Sequence, residues 1–273
     1  MGDRKNSNAE RVQFSSDLLD LFSSRLASTH ATFFTGHLRS GMAVLDGGCG
    51  PGSITLGLGE IVSPGQAIGI DIEPLNIERA KALLAKASGP NVIFKIGDVN
   101  ALEFPDETFD AVFTHGVVEY FKDPVHAFKE LYRVLRRGGL LGARHADWGG
   151  FLLSSRYKNV QELFSLFIQL MKKKGGDPFF GRNQFSCLRK AGFARIQQTA
   201  SYDCWTSSPE STLRISQILA GYVQSDEFTG QVIEYELSDQ QRLKKIASAI
   251  HKWGGDPDSF AAEAWGEALA WKE

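Results

Sequence analysis

Three acids and three glycines stand at the ends of successive apolar runs, and their types and spacing suit the binding of a nucleoside. In "VLDGGCGPGS", residues 44–53, Gly48, Gly50 and Gly52 alternate just after Asp46. Glycine permits backbone conformations and a close approach that any Cβ forbids, so a flat or bent ligand can lie over such a turn. Asp71 closes the second run, "AIGID", nineteen positions after Gly52. In a strand-helix-strand unit a carboxylate there can accept both hydroxyls of a ribose. Asp98 follows a third run, "NVIFKI", where an adenine amino group can be bonded. Two other nucleotide loops fail on spacing. A P-loop needs Gly-Lys-Ser/Thr at its end, but Ser53 and Ile54 follow Gly52. The dinucleotide fingerprint needs Gly or Ala at its sixth position, which is Ser53 or Thr55 here. What remains is a nucleoside site without a phosphate-binding device, better suited to an adenosine joined through sulfur to an amino acid than to NAD.

The elements that must position these residues follow from the apolar pattern. From Gly41 onward the short runs "MAVLD", "AIGID", "NVIFKI", "FDAVF" and "LLGARH" alternate with helical segments and with turns at 63–65, 88–91 and 104–108. That alternation predicts a parallel sheet covered by helices. Before it, Phe14, Leu18, Phe22 and Leu26 recur at helical spacing and predict a cap on the domain behind them. A helix is expected over 124–137, with Arg136 and Arg137 at its C-terminus before Gly138 and Gly139. Past residue 150, Val160, Leu163, Phe164, Phe167, Ile168 and Met171 mark an amphipathic helix, and a shorter one is expected over 183–191, stopped by Gly192. "FARIQQTASYDCW" and "FAAEAWGEALAWK" read as an antiparallel pair of strands, interrupted by a helical insertion over 209–254 that is long enough to roof the site. The domain reading is therefore 1–40 as an N-terminal helical cap, 41–206 as the nucleoside-binding core, 207–258 as the insertion, and 259–273 as the final strand of the core sheet.

Bulk properties narrow the partners. With 273 residues, 42% of them hydrophobic, the chain can bury a full core. A formal net charge of -2 asks for neither nucleic acid nor an anionic membrane. Cys49, Cys187 and Cys204 match no zinc spacing, so no metal is expected, and a reduced, cytoplasmic protein is. No run of about 18 apolar residues predicts a membrane span. The N-terminus has no apolar stretch of a signal peptide, and Asn6 breaks the myristoylation pattern.

Taken in order, "VLDGGCGPG", "GIDIEP", "GDVNALEFPDETFDAVFTHGVVEYFKDP" and "ELYRVLRRGGLL" resemble the motifs of class I S-adenosylmethionine-dependent methyltransferases, closest to the small-molecule branch of ubiquinone and menaquinone biosynthesis. The match covers roughly residues 40–150. The resemblance implies an α/β, Rossmann-like seven-stranded sheet, mostly parallel with an antiparallel last strand and helices on both faces. It implies S-adenosyl-L-methionine as the cofactor and S-adenosyl-L-homocysteine as its product. By the same resemblance Asp46, Gly48, Gly50 and Gly52 underlie the methionine and ribose portions, and Asp71 holds the ribose. Ile72 packs on adenine, Asp98 with Val99 contacts the adenine edge, and Thr114 and His115 lie under the methionine and face the acceptor.

His115 is the first candidate for a catalytic base, and a hydrogen-bonded rim histidine is the other reading of it. In "ARHADWGG", His145 is either a second proton acceptor or structural, Trp148 either an aromatic wall for the acceptor or a filler beneath the helical roof, and Asp147 leans to capping the next turn. Glu119 and Tyr120 stand in the same position, Tyr120 as a candidate acceptor contact. Phe33, Phe34, Trp148, Phe180 and Trp205 suggest an apolar or aromatic acceptor, methylated on O, N or C, although core packing accounts for them as well. A nucleic-acid acceptor is disfavoured, because "THGVVEYF" stands where base methyltransferases carry an Asn/Asp-Pro-Pro-Tyr/Phe motif. A cyclisation or rearrangement that transfers no methyl, and a silent binding protein, are the alternative functions.

Overall fold

The computed structural model describes residues 15–87, 91–154 and 156–273; Phe14 and most of the expected turn at 88–91 lie outside them. Five parallel strands form the centre: β1 (Ala43–Gly47), β2 (Gln66–Asp71), β3 (Val92–Ile96), β4 (Phe109–His115) and β5 (Leu135–Ala146). Their order is β3-β2-β1-β4-β5, and β8 (Ala261–Trp271) then runs antiparallel to β5 on one side and to β7 (Arg195–Cys204) on the other. A two-residue strand, β6 (Leu152–Leu153), continues the β5 edge of β8, so the sheet has eight strands where seven were expected. Central strands such as β1, β2 and β4 are buried nearly throughout, as strands covered on both faces must be.

Local chemistry sets most helix ends. Asp123 accepts from His126 N and Pro124 opens α6 (Pro124–Val134). Gly192, at φ 111°, ends α8 (Phe180–Ala191). Two expected ends are corrected. The helix thought to reach Arg137 stops at Val134, because Leu135 pairs with Phe109 and Arg136 bonds to Asp110, which draws the chain into β5. The N-terminal helix, α1 (Ser16–Ser23), ends before Leu26, which is exposed. Ser23 and Ser24 donate back to the carbonyls of Leu19 and Leu21, which favours an end over another turn. Two short helices, α2 (Ala27–His30) and α3 (Thr32–Thr35), lead into β1.

Helices α4 (Ser53–Val62) and α5 (Pro74–Leu84) connect β1 to β2 and β2 to β3. The remaining helices are α7 (Lys158–Lys173), α9 (Pro209–Gln224), α10 (Asp226–Glu234) and α11 (Gln240–Gly254). A capping box between Ser208 and Ser211 starts α9. These four helices bury Val160, Leu163, Leu219, Phe228, Ile246 and Trp253 in one core, separate from the cores on the two faces of the sheet. Leu18 of α1 joins that core, so the start of the described chain and the segment between β7 and β8 close over the carboxyl ends of the parallel strands together.

Candidate active site

The three alternate glycines are glycine for two different reasons. All have positive φ: 79° at Gly48, 52° at Gly50 and 86° at Gly52. A Cβ on Gly48 would lie 2.2 Å from Val117 Cγ2, and one on Gly52 would lie 2.6 Å from Phe94 Cζ and 2.7 Å from Ala80 Cβ. These two are required by the protein's own packing. A Cβ on Gly50 would meet nothing within 4 Å, because it faces the cavity. Asp71 fixes the loop: its carboxylate accepts from Gly50 N (2.9 Å), Glu73 N (2.9 Å) and Asn76 Nδ2 (3.2 Å). Asp46 is buried and accepts from Thr55 Oγ1 at 2.6 Å. Its burial pushes the carboxyl up to about 7, partly offset by that hydrogen bond.

A cavity of about 800 Å³ begins at this loop and continues under the helical roof. At the loop end it is lined by Asp46, Gly48, Gly50, Asp71, Ile72, Asp98 and Val99. At the roof end its walls are aromatic: Phe22, Tyr120, Trp148, Phe164, Trp205 and Trp265. Trp148 packs 4.9 Å from Phe167 and 6.0 Å from Phe164, centroid to centroid, so it both fills space beneath the roof and faces the cavity. Of the five aromatic residues expected to mark the acceptor site, only Trp148 and Trp205 line the cavity; Phe34 and Phe180 are buried in the cores on the two faces of the sheet, and Phe33 packs on one of them.

Strand alternation separates the remaining candidates. His115 is the cross-strand partner of Arg144, and Arg144 of Glu267, so these side chains share the face under the roof. Thr114 and His145, one residue away along their strands, belong to the opposite face and do not line the cavity; neither does Gly52. His145 packs instead against Phe128 and Phe180, with Nδ1 2.7 Å from Glu119 Oε2. The carboxylate can only accept, so Nδ1 carries the proton. His145 is thus placed behind Glu119, which does line the cavity. Asp147 accepts from Gly149 N and pairs with Arg182, the capping arrangement.

The roof end of the cavity is charged in a way the sequence reading missed. Arg25, just after α1, and Glu263, on β8, both line it. Arg25 lies 4.6 Å from the Phe22 ring centroid and 5.1 Å from that of Trp265. Burial pushes the Glu263 carboxyl up to about 7, with Arg25 acting against that rise. The neighbouring charges are tied to one another: Arg144 donates to Asp203 at 2.8 Å and to Glu267 at 3.2 Å. His115 stands 4.6 Å from the Trp265 ring, with neither ring nitrogen hydrogen-bonded among the described residues. Burial first, then Arg25 and Arg144, hold it well below the usual histidine range, so the imidazole is neutral. The signal for Glu263 was in the sequence: "AAEAWGEALAW" places Glu263, Trp265 and Glu267 on one face of a strand otherwise built of small and apolar residues.

A family model described as a methyltransferase domain matches residues 38–207. A protein of Aspergillus luteorubrus named "Probable methyltransferase ltbC" is 35% identical over 100% of both chains. The chloroplastic 2-methyl-6-phytyl-1,4-hydroquinone methyltransferase 2 of rice, Oryza sativa subsp. japonica, is 35% identical over 49% of this chain and 38% of that one. Among solved structures, phosphoethanolamine N-methyltransferase 2 of Haemonchus contortus, in complex with S-adenosyl-L-methionine, superposes with a TM-score of 0.57 at 21% identity, covering 90% of this chain and 51% of that one. The chain belongs to the methyltransferase domain family. Within it, the order of motifs and the sheet topology make it a class I, S-adenosylmethionine-dependent methyltransferase of small molecules. The cradle fits that cofactor. Gly50 opens to the cavity beside Asp71 and Ile72, and the buried Asn76 Oδ1 has no partner among the described residues.

Proposed function

We propose that this enzyme methylates an oxygen, nitrogen or carbon of a flat, apolar or aromatic metabolite held against Trp148, Tyr120, Trp205 and Trp265. The observation that carries this reading is the continuity of one cavity from the glycine loop into an aromatic chamber. At the loop end, Asp71 is the ribose contact, Ile72 the adenine wall, and Asp98 with Val99 the adenine edge. Gly48 and Gly52 act by shaping the loop, and Gly50 and Asp46 lie beside the amino-acid portion. S-adenosylmethionine supplies an electrophilic methyl group whose leaving group is a neutral thioether. The chain's contribution is to hold the acceptor atom in line and close, an effect worth several kcal/mol, about 7 or more in well-oriented systems. Tyr120 and Trp148 stack on the acceptor, while the roof over 207–258 and the cap before residue 40 exclude water from it.

His115 serves here as a neutral wall of the acceptor site, and His145 as the group that orients Glu119. The quinol-related relative is consistent with an apolar acceptor, and the acidic balance of the chain with one that is not nucleic acid. Three free cysteines fit a reducing, cytoplasmic setting. No helix of the described residues is long and apolar enough to cross a membrane. The test is incubation with methyl-labelled S-adenosylmethionine and a panel of phenols, quinols, aromatic amines and aliphatic controls, read by mass spectrometry. Label in the aromatic acceptors supports the reading; label confined to the aliphatic controls overturns it.

A further inference from the structure

We propose that Arg25 and Glu263 together bind a hydroxyl group of the acceptor, Glu263 taking its proton and Arg25 holding the oxyanion that remains. This rests on the aromatic-acceptor reading and narrows it to phenols and enols, acidic enough to give up a proton to a carboxylate.

The argument starts from which charges the protein leaves unjoined. Around the roof end of the cavity, Asp203 and Glu267 share Arg144, Glu119 accepts from His145, and Asp147 is paired with Arg182. Arg25 and Glu263 line the same chamber, yet neither forms an ion pair or a side-chain hydrogen bond among the described residues. They are nevertheless within each other's field: apart from desolvation, the strongest influence on each is the other. Burying a guanidinium and a carboxylate in one cavity without joining them is costly. A group that accepts from one and donates to the other relieves both costs, and a hydroxyl is the smallest group that does so.

Position agrees with this. Arg25 lies over Trp265, and Glu263 is two residues from Trp265 on the same face of β8, roughly 7 Å along the strand. Buried donors with no partner among the described residues belong to other residues that line this cavity: Tyr222 OH, Trp148 Nε1 and Trp265 Nε1. Such a set suits an oxygen-bearing ring. The groups that face Glu263 are Arg25 after α1, Asp203 on β7, Arg144 on β5 and Glu119 after β4. Asp203 stands directly across from Glu263 in the β7–β8 ladder, so Arg144 is drawn to Asp203 and Glu263 is left to the cavity. In the proton transfer the substrate O–H bond breaks, the proton joins a Glu263 carboxylate oxygen, and both electrons stay on the substrate oxygen. Glu263 goes from -1 to neutral and the substrate from neutral to -1, so the net charge of the site beside Arg25 is unchanged.

The test uses the full chain saturated with S-adenosylhomocysteine and two probes. These are 4-hydroxyacetophenone, whose phenolate absorbs beyond the protein's own band, and its methyl ether, 4-methoxyacetophenone. Binding is read by tryptophan fluorescence, ionisation by absorbance, and proton release in weak buffer near the probe's own pKa. Wild type is expected to bind both probes and to raise the phenolate-to-phenol ratio of the first by about tenfold, one pKa unit, with no net proton released. Arg25→Gln should lose that tenfold shift and still bind the ether. Glu263→Gln should bind the phenolate only with release of a proton to solution. Un-ionised phenol in wild type, or a shift that survives Arg25→Gln, overturns the pairing while ether binding keeps the chamber. Failure of both probes to bind wild type overturns the aromatic chamber, and this inference with it.

Discussion

The two ends of the cavity are built in opposite ways. The donor end comes from one stretch of chain, residues 46–100, and its acids are satisfied locally: Asp71 by two backbone N–H groups and Asn76, Asp46 by Thr55. The acceptor end is assembled from α1, the turn after β4, the end of β5, the roof helices and β8, and it holds polar groups without protein partners among the described residues. Apart from Asn76 Oδ1, the first is complete before a ligand arrives; the second is completed by one. A site for a cofactor of constant shape can be fully preorganised, whereas recognition of a particular acceptor depends on groups held ready and unsatisfied.

That contrast breaks first at the glycines. Gly48→Ala should cost about 3 kcal/mol or more of stability, since positive φ and collision with Val117 combine. Gly50→Ala, strained by φ alone, should cost about 1–2 kcal/mol in urea unfolding while weakening S-adenosylmethionine binding at least ~10-fold by occupying the cavity, about 1.4 kcal/mol. Equal stability losses in the two variants would mean that the glycines share one role. Asp71→Ala comes next. Freeing three donors should weaken cofactor binding about 100-fold, near 2.7 kcal/mol, in calorimetry, with 4-methoxyacetophenone binding unchanged. Loss of both ligands would show the two ends to be one cooperative unit.

The pH dependence of stability carries both ends at once. Asp46 is raised from 3.8 to about 7 and Glu263 from 4.5 to about 7, so the folded state binds their protons more tightly than the unfolded chain does. Their contribution is complete below the unfolded values and is lost as pH rises through about 7. His115 is lowered from 6.5, so its contribution is lost as pH falls below that value. Between pH 4.5 and 6.5 two carboxyls act against one histidine, so the unfolding free energy should fall as pH rises towards 7. Asp46→Asn should remove about 2 kcal/mol of that decline, and urea titrations at a series of pH values measure it. A variant with the wild-type slope would show Asp46 to be ionised throughout.

Smaller effects sharpen the comparison. Trp148→Ala should raise the Michaelis constant of an aromatic acceptor about tenfold, near 1.4 kcal/mol, and leave that of S-adenosylmethionine unchanged in initial-rate kinetics. Arg182→Ala, which removes a partly exposed pair to Asp147, should change stability by no more than about 0.5 kcal/mol in thermal unfolding. A larger loss would mean that the turn carrying Trp148 depends on that pair.

What was legible in the sequence follows the same division. Asp46, the glycine loop, Asp71 and Asp98 were readable because each closes a short apolar run, and successive parallel strands bring such ends together. "ELYRVLRRGG" was misread as helix to Arg137, because nothing local shows that Leu135 will pair with Phe109. His145 was paired with His115 as a base because both end strands, but side chains alternate along a strand, and the β4–β5 register sets His115 across from Arg144.

By itself, the sequence determined the order of strands and helices, the turn conformations that demand glycine and the carboxylates at the strand ends, because those depend on residues within a few positions of one another. Only the tertiary structure decided which of Gly48, Gly50 and Gly52 faces the cavity, which histidine lies under the roof, and that Arg25 and Glu263 share one chamber. Those outcomes rest on strand register and on contacts between segments more than two hundred residues apart, and no local pattern carries that information.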